Sequence, residues 1–259
     1  MAVTDTHRAI EAVWRIESAR IIGALARMVR DIGLAEELAQ DALAAALEQW
    51  PASGVPDKPG AWLTTAAKHD AIDRLRRSRM LERKHEQLVR EIEAEQETDE
   101  TDFAAVADDD IGDDLLRLVF ISCHPVLSTE ARVALTLRLL GGLTTEEIAR
   151  AFLVPEPTVA QRIVRAKRTL AEARVSFEVP RGDELAARLS SVLEVIYLIF
   201  NEGYAATAGD AWVRRDLCSE AIRLGRLLVE LTNAGPGRDA DAPRGLLALM
   251  LLHDSRRDA

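Results

Sequence analysis

The stretch that most constrains the fold is a pair of helical patterns separated by two prolines, LTTEEIARAFLVPEPTVAQRIVRAKRTL at residues 143–170. Thr144 and Thr145 are both suited to cap a first helix, because a hydroxyl there accepts a hydrogen bond from an otherwise unpaired backbone N–H. The helix cannot continue through Val-Pro-Glu-Pro at 154–157, since proline lacks the N–H and clashes with the preceding turn. Thr158 is expected to cap a second helix. The pattern therefore predicts a helix-turn-helix.

The second helix of this motif divides into an apolar face and a basic face. At about 100° per residue, one side collects the apolar residues Val159, Ile163, Ala166 and Leu170. The opposite side is centred on Gln161, Arg165 and Arg168 and flanked by Arg162 and Lys167. Amide and guanidinium groups suit base edges in the major groove, and flanking cations suit phosphates. A solvated basic helix in an ordinary bundle is the alternative, but the caps, the turn and the charge together favour a DNA-recognition helix.

The same helical periodicity runs through the rest of the chain. Ala, Leu, Arg and Glu, all good helix formers, dominate a sequence that is 48% hydrophobic and only 4% aromatic. No run of alternating β-branched residues indicates a strand. The sequence therefore predicts an all-α protein, and its 259 residues are enough for two or three compact units.

Several functional classes find no support in the sequence. No segment approaches about 18 consecutive apolar residues, so no membrane span is expected. Cys123 and Cys218 are far apart, which argues against a disulfide framework or a zinc site and for the reducing cytoplasm. The Cys123-His124 pair and His253 lack the further ligands that a metal needs. Since no phosphate-binding glycine motif or nucleophile elbow is found, we expect a protein that is not an enzyme and needs no cofactor.

The net charge of −10 is concentrated in one segment. Fourteen acidic and three basic residues lie between Glu82 and Asp114, whereas the remaining sequence has 30 basic and 29 acidic residues. Such a run, poor in large apolar residues, is typical of a solvated connector. We therefore divide the chain into an N-terminal unit (1–82), an acidic linker (83–113), a middle unit that contains the helix-turn-helix (114–178) and a C-terminal helical unit (179–259).

The N-terminal unit contains two amphipathic patterns. The first is AEELAQDALAAALEQW (35–50), in which an apolar face lies opposite a polar face with Glu37, Gln40, Asp41, Ala44 and Glu48. The small Ala44 on that face would let another helix approach closely. The alternative is that this acidic face is simply solvated.

The second pattern, PGAWLTTAAKHDAIDRLRRSR (59–79), places an aromatic residue and arginines on one stripe. Stacking by Trp62 and phosphate pairing by Arg76 and Arg77 would suit single-stranded DNA. The alternatives are core packing for Trp62 and, for Arg74 and its neighbours, a basic last turn that interacts with the helix dipole.

Together these motifs resemble a known family. An AEELAQDAL helix, a PGAWL…AIDRLRR helix, an acidic linker and TTEEIARAFLVPEPTVAQRIVRAKR follow one another, in order and spacing, as in extracytoplasmic-function sigma factors. These proteins have two domains, which correspond to sigma regions 2 and 4, and the likeness covers about residues 10–175. It implies a sigma factor that binds core RNA polymerase and directs initiation at particular promoters.

The resemblance also implies three sets of contact residues. The face that docks on the clamp helices of the β′ subunit corresponds to Glu37, Gln40, Asp41 and Ala44. The residues that open and read the −10 element correspond to Trp62, Lys68, His69, Arg74, Arg76 and Arg77. Those that contact the −35 element correspond to Thr158, Gln161, Arg162, Arg165, Lys167 and Arg168. Many members have Ala-Arg-Asn where this chain has Ala67-Lys68-His69, so the charge is kept but an amide becomes an imidazole.

Further partners follow from the same resemblance. The β flap of the polymerase is another expected partner, and the linker is expected to follow the RNA exit path, where carboxylates such as those of Glu93, Glu95 and Glu97 would imitate RNA. The C-terminal unit resembles the helical, tetratricopeptide-like extension of one subgroup. That likeness implies that the unit modulates activity in place of a separate anti-sigma factor.

Two alternatives stay open at this point. A stand-alone helix-turn-helix regulator with a ligand-sensing helical domain would contain the same middle unit, but it would bind duplex DNA without polymerase. The apolar segment at 246–252 predicts that either further chain or another surface of the same molecule covers it.

Overall fold

The computed structural model describes residues 2–90, 111–180, 182–204, 211–233 and 241–256. Within these ranges the chain forms ten helices and no strand, which confirms the all-α prediction. In chain order the helices are α1 (Ala2–Val29), α2 (Ile32–Ser53), α3 (Pro59–Arg90), α4 (Ile111–Ser122), α5 (Thr129–Leu139), α6 (Thr145–Ala151), α7 (Glu156–Glu172), α8 (Gly182–Tyr204), α9 (Ala211–Asn233) and α10 (Asp241–Ser255). None of the helices in the described ranges is long and apolar enough to cross a membrane.

Helices α1, α2 and α3 form the N-terminal unit. α2 begins where the Asp31 carboxylate accepts a hydrogen bond of 2.8 Å from the Leu34 N–H, and it ends at Gly54, whose positive φ of 86° suits glycine. The predicted apolar face of α2 is largely buried. At its end Trp50 packs edge-on against Trp62 of α3, with 5.4 Å between the ring centres. The two helices are therefore joined through their apolar faces.

Helices α4 to α7 form the middle unit, and α6 and α7 are the predicted helix-turn-helix. α6 starts in a capping box: the Thr144 hydroxyl accepts from the Glu147 N–H, and the Glu147 carboxylate accepts from the Thr144 N–H. The turn that follows contains Leu153 in the left-handed region, with a φ of 51°.

The predicted start of the second helix of this motif is wrong. α7 begins at Glu156, directly after Pro155, so Thr158 lies inside its first turn and does not cap it. The physical reason is that Pro157 is tolerated in a first helical turn, where its missing N–H would have had no partner within the helix. The prolines therefore start α7 earlier than the hydroxyl of Thr158 suggested.

Helices α8, α9 and α10 form the C-terminal unit, in which α8 and α9 pack along each other. α9 and α10 approach closely at Gly225, where an added Cβ would lie 2.8 Å from Cε of Met250. A larger residue at this position would force the end of the Met250 side chain to move.

The C-terminal unit is joined to the middle unit at the carboxyl end of α4. Carbonyl groups in the last turn of a helix have no partner within it. Two carbonyls here are bonded by α8: Arg188 donates to that of Phe120 at 2.7 Å, and the Ser191 hydroxyl donates to that of Cys123 at 2.6 Å. Arg132 of α5 donates in turn to the Ser191 hydroxyl. Side chains of α8, one of them bonded in turn by Arg132 of α5, therefore complete the end of α4.

The N-terminal and middle units are also in direct contact, through α1 and α4. At Gly23 of α1, an added Cβ would lie 3.0 Å from the carbonyl oxygen of Asp114, so the two backbones approach closely. The Asp114 carboxylate is buried there, 2.9 Å from Arg27 and 2.7 Å from Arg117. One apolar core consequently includes residues of all three units.

The α4–α8 contact predicts that Ser191→Ala lowers the free energy of unfolding by about 1–3 kcal/mol, because the buried Cys123 carbonyl loses its donor. Chemical denaturation of the wild type and the variant measures this difference. Arg226→Ala, an exposed substitution on α9, is the control and should change the value by less than about 0.5 kcal/mol. Equal losses in the two variants would contradict the capping role of Ser191.

Candidate nucleic-acid interface

Helix α7 presents the basic face that its sequence predicts. Its four predicted apolar residues are all buried: Val159, Ile163, Ala166 and Leu170. On the other side Gln161, Arg165 and Arg168 are exposed, and Thr158 and Arg162 are half-buried. Arg168 also pairs with Glu172 at 2.6 Å. An amide and two guanidinium groups therefore face solvent from one helix.

Lys167, the remaining residue predicted for the −35 element, is placed differently. Its ammonium group is half-buried and pairs with the carboxylate of Glu36 on α2. A phosphate contact by Lys167 would require this pair to break.

The face of α2 that was predicted to bind polymerase is open to solvent. Glu37, Gln40, Asp41 and Ala44 are all exposed. Their spacing of three and four residues makes them neighbours on the helix surface. Glu37 accepts a hydrogen bond of 2.9 Å from Arg74 of α3, which places the polar faces of α2 and α3 side by side.

The residues of α3 predicted for the −10 element differ in exposure. His69, Arg74, Arg76 and Arg77 are exposed, whereas Trp62 and Lys68 are half-buried. The His69 imidazole lies 3.9 Å from the carboxylates of Asp70 and Asp73. The packing of Trp62 on Trp50 supports the core-packing alternative for part of its ring. Arg74, Arg76 and Arg77 therefore form the solvent-exposed basic surface of α3.

Glu36 is a central residue that was not predicted. Its side chain is 5% exposed and connects three helices. Arg138 of α5 donates to one carboxylate oxygen at 2.7 Å, Gln40 of α2 donates to the same oxygen at 2.9 Å, and Lys167 of α7 pairs with the other oxygen. We call Glu36, Arg138 and Lys167 the Glu36 cluster. It joins the N-terminal unit to the helix-turn-helix.

The cations of the Glu36 cluster keep the carboxylate ionised. Burial would raise the pKa of Glu36, but the charges and hydrogen bonds of Lys167 and Arg138 outweigh burial and lower the pKa. A carboxylate whose pKa is lowered by folding stabilises the folded arrangement above its ordinary pKa of 4.5 and loses that contribution as the pH falls. The contact between α2 and α7 is therefore expected to weaken in acid.

One of the two buried carboxylates could have been identified from its spacing. Glu36 follows Ile32 by four residues and precedes Ala39 by three, and both neighbours are buried, so it lies on the apolar stripe of α2. A carboxylate on such a stripe needs a buried cation. Asp114 gives a weaker signal, because it ends the acidic run and, apart from the nearby Arg117, its partner Arg27 is distant in sequence.

Most of the acidic linker lies outside the described residues. α3 continues to Arg90, eight residues into the segment assigned to the linker, and α4 starts at Ile111. Residues 91–110, with Glu93, Glu95 and Glu97, are outside the described ranges. The imitation of RNA by these carboxylates stays a prediction.

Three family models match successive parts of the chain. Residues 15–80 match Sigma-70 region 2, residues 117–170 match Sigma-70 region 4, and residues 188–259 match a family of unknown function, DUF6596. The matched segments fall within α1–α3, α4–α7 and the C-terminal unit respectively. No solved structure gives a significant match.

Curated proteins with similar sequences include three of particular interest. ECF RNA polymerase sigma factor SigK of Mycobacterium ulcerans is 32% identical over 157 residues, 58% of this chain and 78% of SigK. Probable ECF RNA polymerase sigma factor SigI of Mycobacterium tuberculosis is 26% identical over 173 residues, 67% of this chain and 58% of SigI. Uncharacterized protein R00370 of Rhizobium meliloti is 43% identical over 241 residues, 92% of this chain and 55% of that protein. The chain thus spans little more than half the length of the last two.

The order of the matched segments along this all-α fold defines a protein of the sigma-70 type. The similarity to SigK then identifies the branch: the chain belongs to the ECF sigma factor family. It also carries a helical extension that matches DUF6596. Below, region 2 denotes α1–α3, region 4 denotes α4–α7, and the extension denotes α8–α10.

The Glu36 cluster predicts that Glu36→Gln loosens the contact between region 2 and region 4. Glutamine has nearly the same size, but it leaves the charges of Arg138 and Lys167 without a buried counter-charge. We expect a larger radius of gyration in small-angle X-ray scattering at neutral pH. The exposed Glu48→Gln on the same helix is the matched control and should leave the radius unchanged.

The pH dependence provides a second readout of the same prediction. As the pH falls below 4.5, the wild-type radius should approach that of the variant, because protonation removes the same charge. If Glu36→Gln has the wild-type radius at neutral pH, the two regions are held together without this carboxylate.

Proposed function

We propose that the protein is an alternative sigma factor, which binds core RNA polymerase and directs initiation at specific promoters. The observation that carries the proposal is the succession of region 2 and region 4 in one chain, with an exposed Gln and Arg face on α7. The similarity to a protein named ECF RNA polymerase sigma factor SigK supports it. Because the chain spans only part of the length of its longer relatives, this activity is a proposal for the chain and is not taken over from them.

The chemistry of α7 supports recognition of the −35 element in the major groove. The Gln161 amide can pair with N6 and N7 of adenine, and the Arg165 guanidinium with O6 and N7 of guanine. Thr158 lies in the first turn of α7, where its hydroxyl can donate a hydrogen bond to a phosphate. We therefore assign base reading to Gln161 and Arg165 and backbone contacts to Thr158, Arg162 and Arg168.

The open surface of α3 supports contact with the −10 element. Arg76 and Arg77 suit phosphates, and the part of Trp62 that is not packed on Trp50 offers a ring face on which an unpaired base could stack. His69 is expected to contribute less, since Asp70 and Asp73 beside it disfavour an approaching phosphate.

The exposed face of α2 supports docking on the polymerase. Glu37, Gln40 and Asp41 offer acceptors and negative charge around Ala44, whose short side chain lets a helix approach closely. We propose that this face binds the clamp helices of the β′ subunit and that region 4 binds the β flap.

Promoter recognition requires region 2 and region 4 to separate. The −35 and −10 elements are about 25 base pairs apart, or roughly 80 Å of duplex at about 3.4 Å per base pair. In the structure Arg74 of α3 bonds Glu37, and Lys167 of α7 pairs with the adjacent Glu36. Because α3 and α7 both contact α2 at adjacent residues, they lie too close together to reach the −10 and the −35 element at the same time. We infer that this is the closed form of the free protein and that polymerase binding opens it.

The extension is proposed to regulate region 4 and so to replace a separate anti-sigma factor. α8 packs on α4 and α5, and Arg223 of α9 donates to the Leu140 carbonyl at the end of α5, at 2.6 Å. The base-reading residues of α7 stay exposed beside these contacts. We therefore expect the extension to control where region 4 is held, without covering its DNA surface.

Transcription in vitro with core polymerase, with and without this protein, tests the proposed function. On a library of promoter fragments, we expect transcripts with defined start sites only when core polymerase and the protein are both present. Specific binding to duplex DNA by the protein alone, without new transcripts in the presence of core polymerase, would show a stand-alone regulator instead.

The α2 face predicts that Asp41→Arg weakens binding to core polymerase at least tenfold, since it reverses a charge in the middle of the docking surface. Fluorescence anisotropy with labelled protein measures the affinity, and circular dichroism confirms that the helix content is kept. Glu230→Arg, the same charge reversal at an exposed position of α9, should bind normally. An unchanged affinity of Asp41→Arg would contradict the assignment of this face.

The base-reading assignment predicts that Arg165→Ala costs about 1–3 kcal/mol at the cognate −35 element and relaxes specificity at one base pair. Binding of the holoenzyme to promoters with single substitutions in this element measures both effects. Arg226→Ala removes the same charge from the extension and should retain wild-type specificity. If every base-pair substitution weakens promoter binding by the Arg165→Ala holoenzyme as much as binding by the wild-type holoenzyme, Arg165 reads no base.

A further inference from the structure

Val164 is an exposed apolar residue on the DNA-facing helix of region 4. The isopropyl group is 65% exposed, although the other large apolar residues of α7 are buried against the core. A β-branched side chain in a solvated helix position loses rotamer freedom and gains no burial there. Single exposed apolar residues are common on proteins, so the position of Val164 decides whether it has a role.

The position of Val164 is within the polar surface assigned to base reading. It follows Gln161 by three residues and precedes Arg168 by four, which makes it a surface neighbour of both. At about 100° per residue, Val164 lies about 60° from Gln161 and about 40° from Arg168 around the helix. An α7 that presents Gln161 to a base edge therefore carries Val164 into the same groove.

The major groove of B-DNA offers one apolar group, the C5 methyl of thymine. The groups of Arg165 and Gln161 are suited to hydrogen bonds with guanine and adenine, whereas an isopropyl group can donate and accept none. Its favourable contact in the groove is burial against that methyl. Burying one methyl-sized group is equivalent to about a fourfold change in affinity.

We propose that Val164 is a specificity-determining residue that reads a thymine methyl in the −35 element, next to the base pair contacted by Gln161. The inference rests on the proposed sigma-factor function and adds a base preference to it. Val164 is not required for folding, because it is exposed and alanine is the better helix former.

The first test is a selection from duplexes with a randomised −35 element, using holoenzymes with the wild-type chain and with Val164→Ala. We expect the wild type to select thymine at one position and Val164→Ala to lose that preference, while the preferences due to Gln161 and Arg165 remain. A selected element without thymine, or the same thymine preference in both holoenzymes, would overturn the proposal.

The second test removes only the methyl group, by replacing the selected thymine with deoxyuridine. Wild-type affinity should fall about fourfold, and Val164→Ala should bind both duplexes equally. Val164→Ile, which keeps the branched side chain, should remain sensitive to the methyl. Leu153→Ala removes another exposed apolar side chain, from the turn before α7, and should keep the wild-type sensitivity. A wild type that binds the thymine and deoxyuridine duplexes equally would overturn the proposal.

The outcome also separates this inference from the proposed function. If the holoenzyme selects a −35 element whose recognition depends on Arg165 but not on any thymine methyl, the role of Val164 fails and the sigma-factor function stands. If no holoenzyme forms, or no element is selected, both fail together.

Discussion

One buried carboxylate makes the polar contact between region 2 and the recognition-type helix of region 4, beside the contact between α1 and α4. Glu36 of α2 faces α5 and α7, where Arg138 and Lys167 supply its counter-charges. Removal of one partner from a buried ion pair is costly, because the remaining charge stays desolvated. Lys167 lies on α7, the helix proposed to contact DNA, and is also a partner of Glu36, so a phosphate contact by Lys167 would compete with the contact between the two regions.

A charged contact would suit the opening proposed for this interface. When two apolar surfaces separate, each exposes area that water solvates poorly. When Glu36 separates from Arg138 and Lys167, each charge regains its hydration, so the open state exposes groups that water solvates well. The contact between α1 and α4 also contains a buried charged group, Asp114 between Arg27 and Arg117, although the apolar core extends through it. Ionic partners at both places would lower the cost of the proposed opening.

The sequence predicted those features of the fold and site that local patterns determine. The buried and exposed faces of α7 follow from the spacing of Val159, Ile163 and their neighbours, and the cap of α6 is Thr144, one of the two threonines predicted for it. The predicted start of α7 was wrong by three residues, because a proline within a first turn and a proline before it look alike in sequence. The contacts of Glu36 with Arg138 and Lys167 could not be predicted, because the two cations belong to a different unit from Glu36 and no local sequence pattern pairs them with it. The roles of the exposed residues on α2, α3 and α7 stay predictions.

The most direct test of the closed form is the distance between α2 and α7 in three states: free protein, holoenzyme and promoter complex. Because Cys123 and Cys218 are buried, dyes can be attached to cysteines introduced at the exposed Glu48 and Ala173 and the distance measured by single-molecule energy transfer. We predict high transfer in the free protein and low transfer in a promoter complex that is active in transcription. High transfer that persists in such an active complex would contradict the separation of region 2 from region 4.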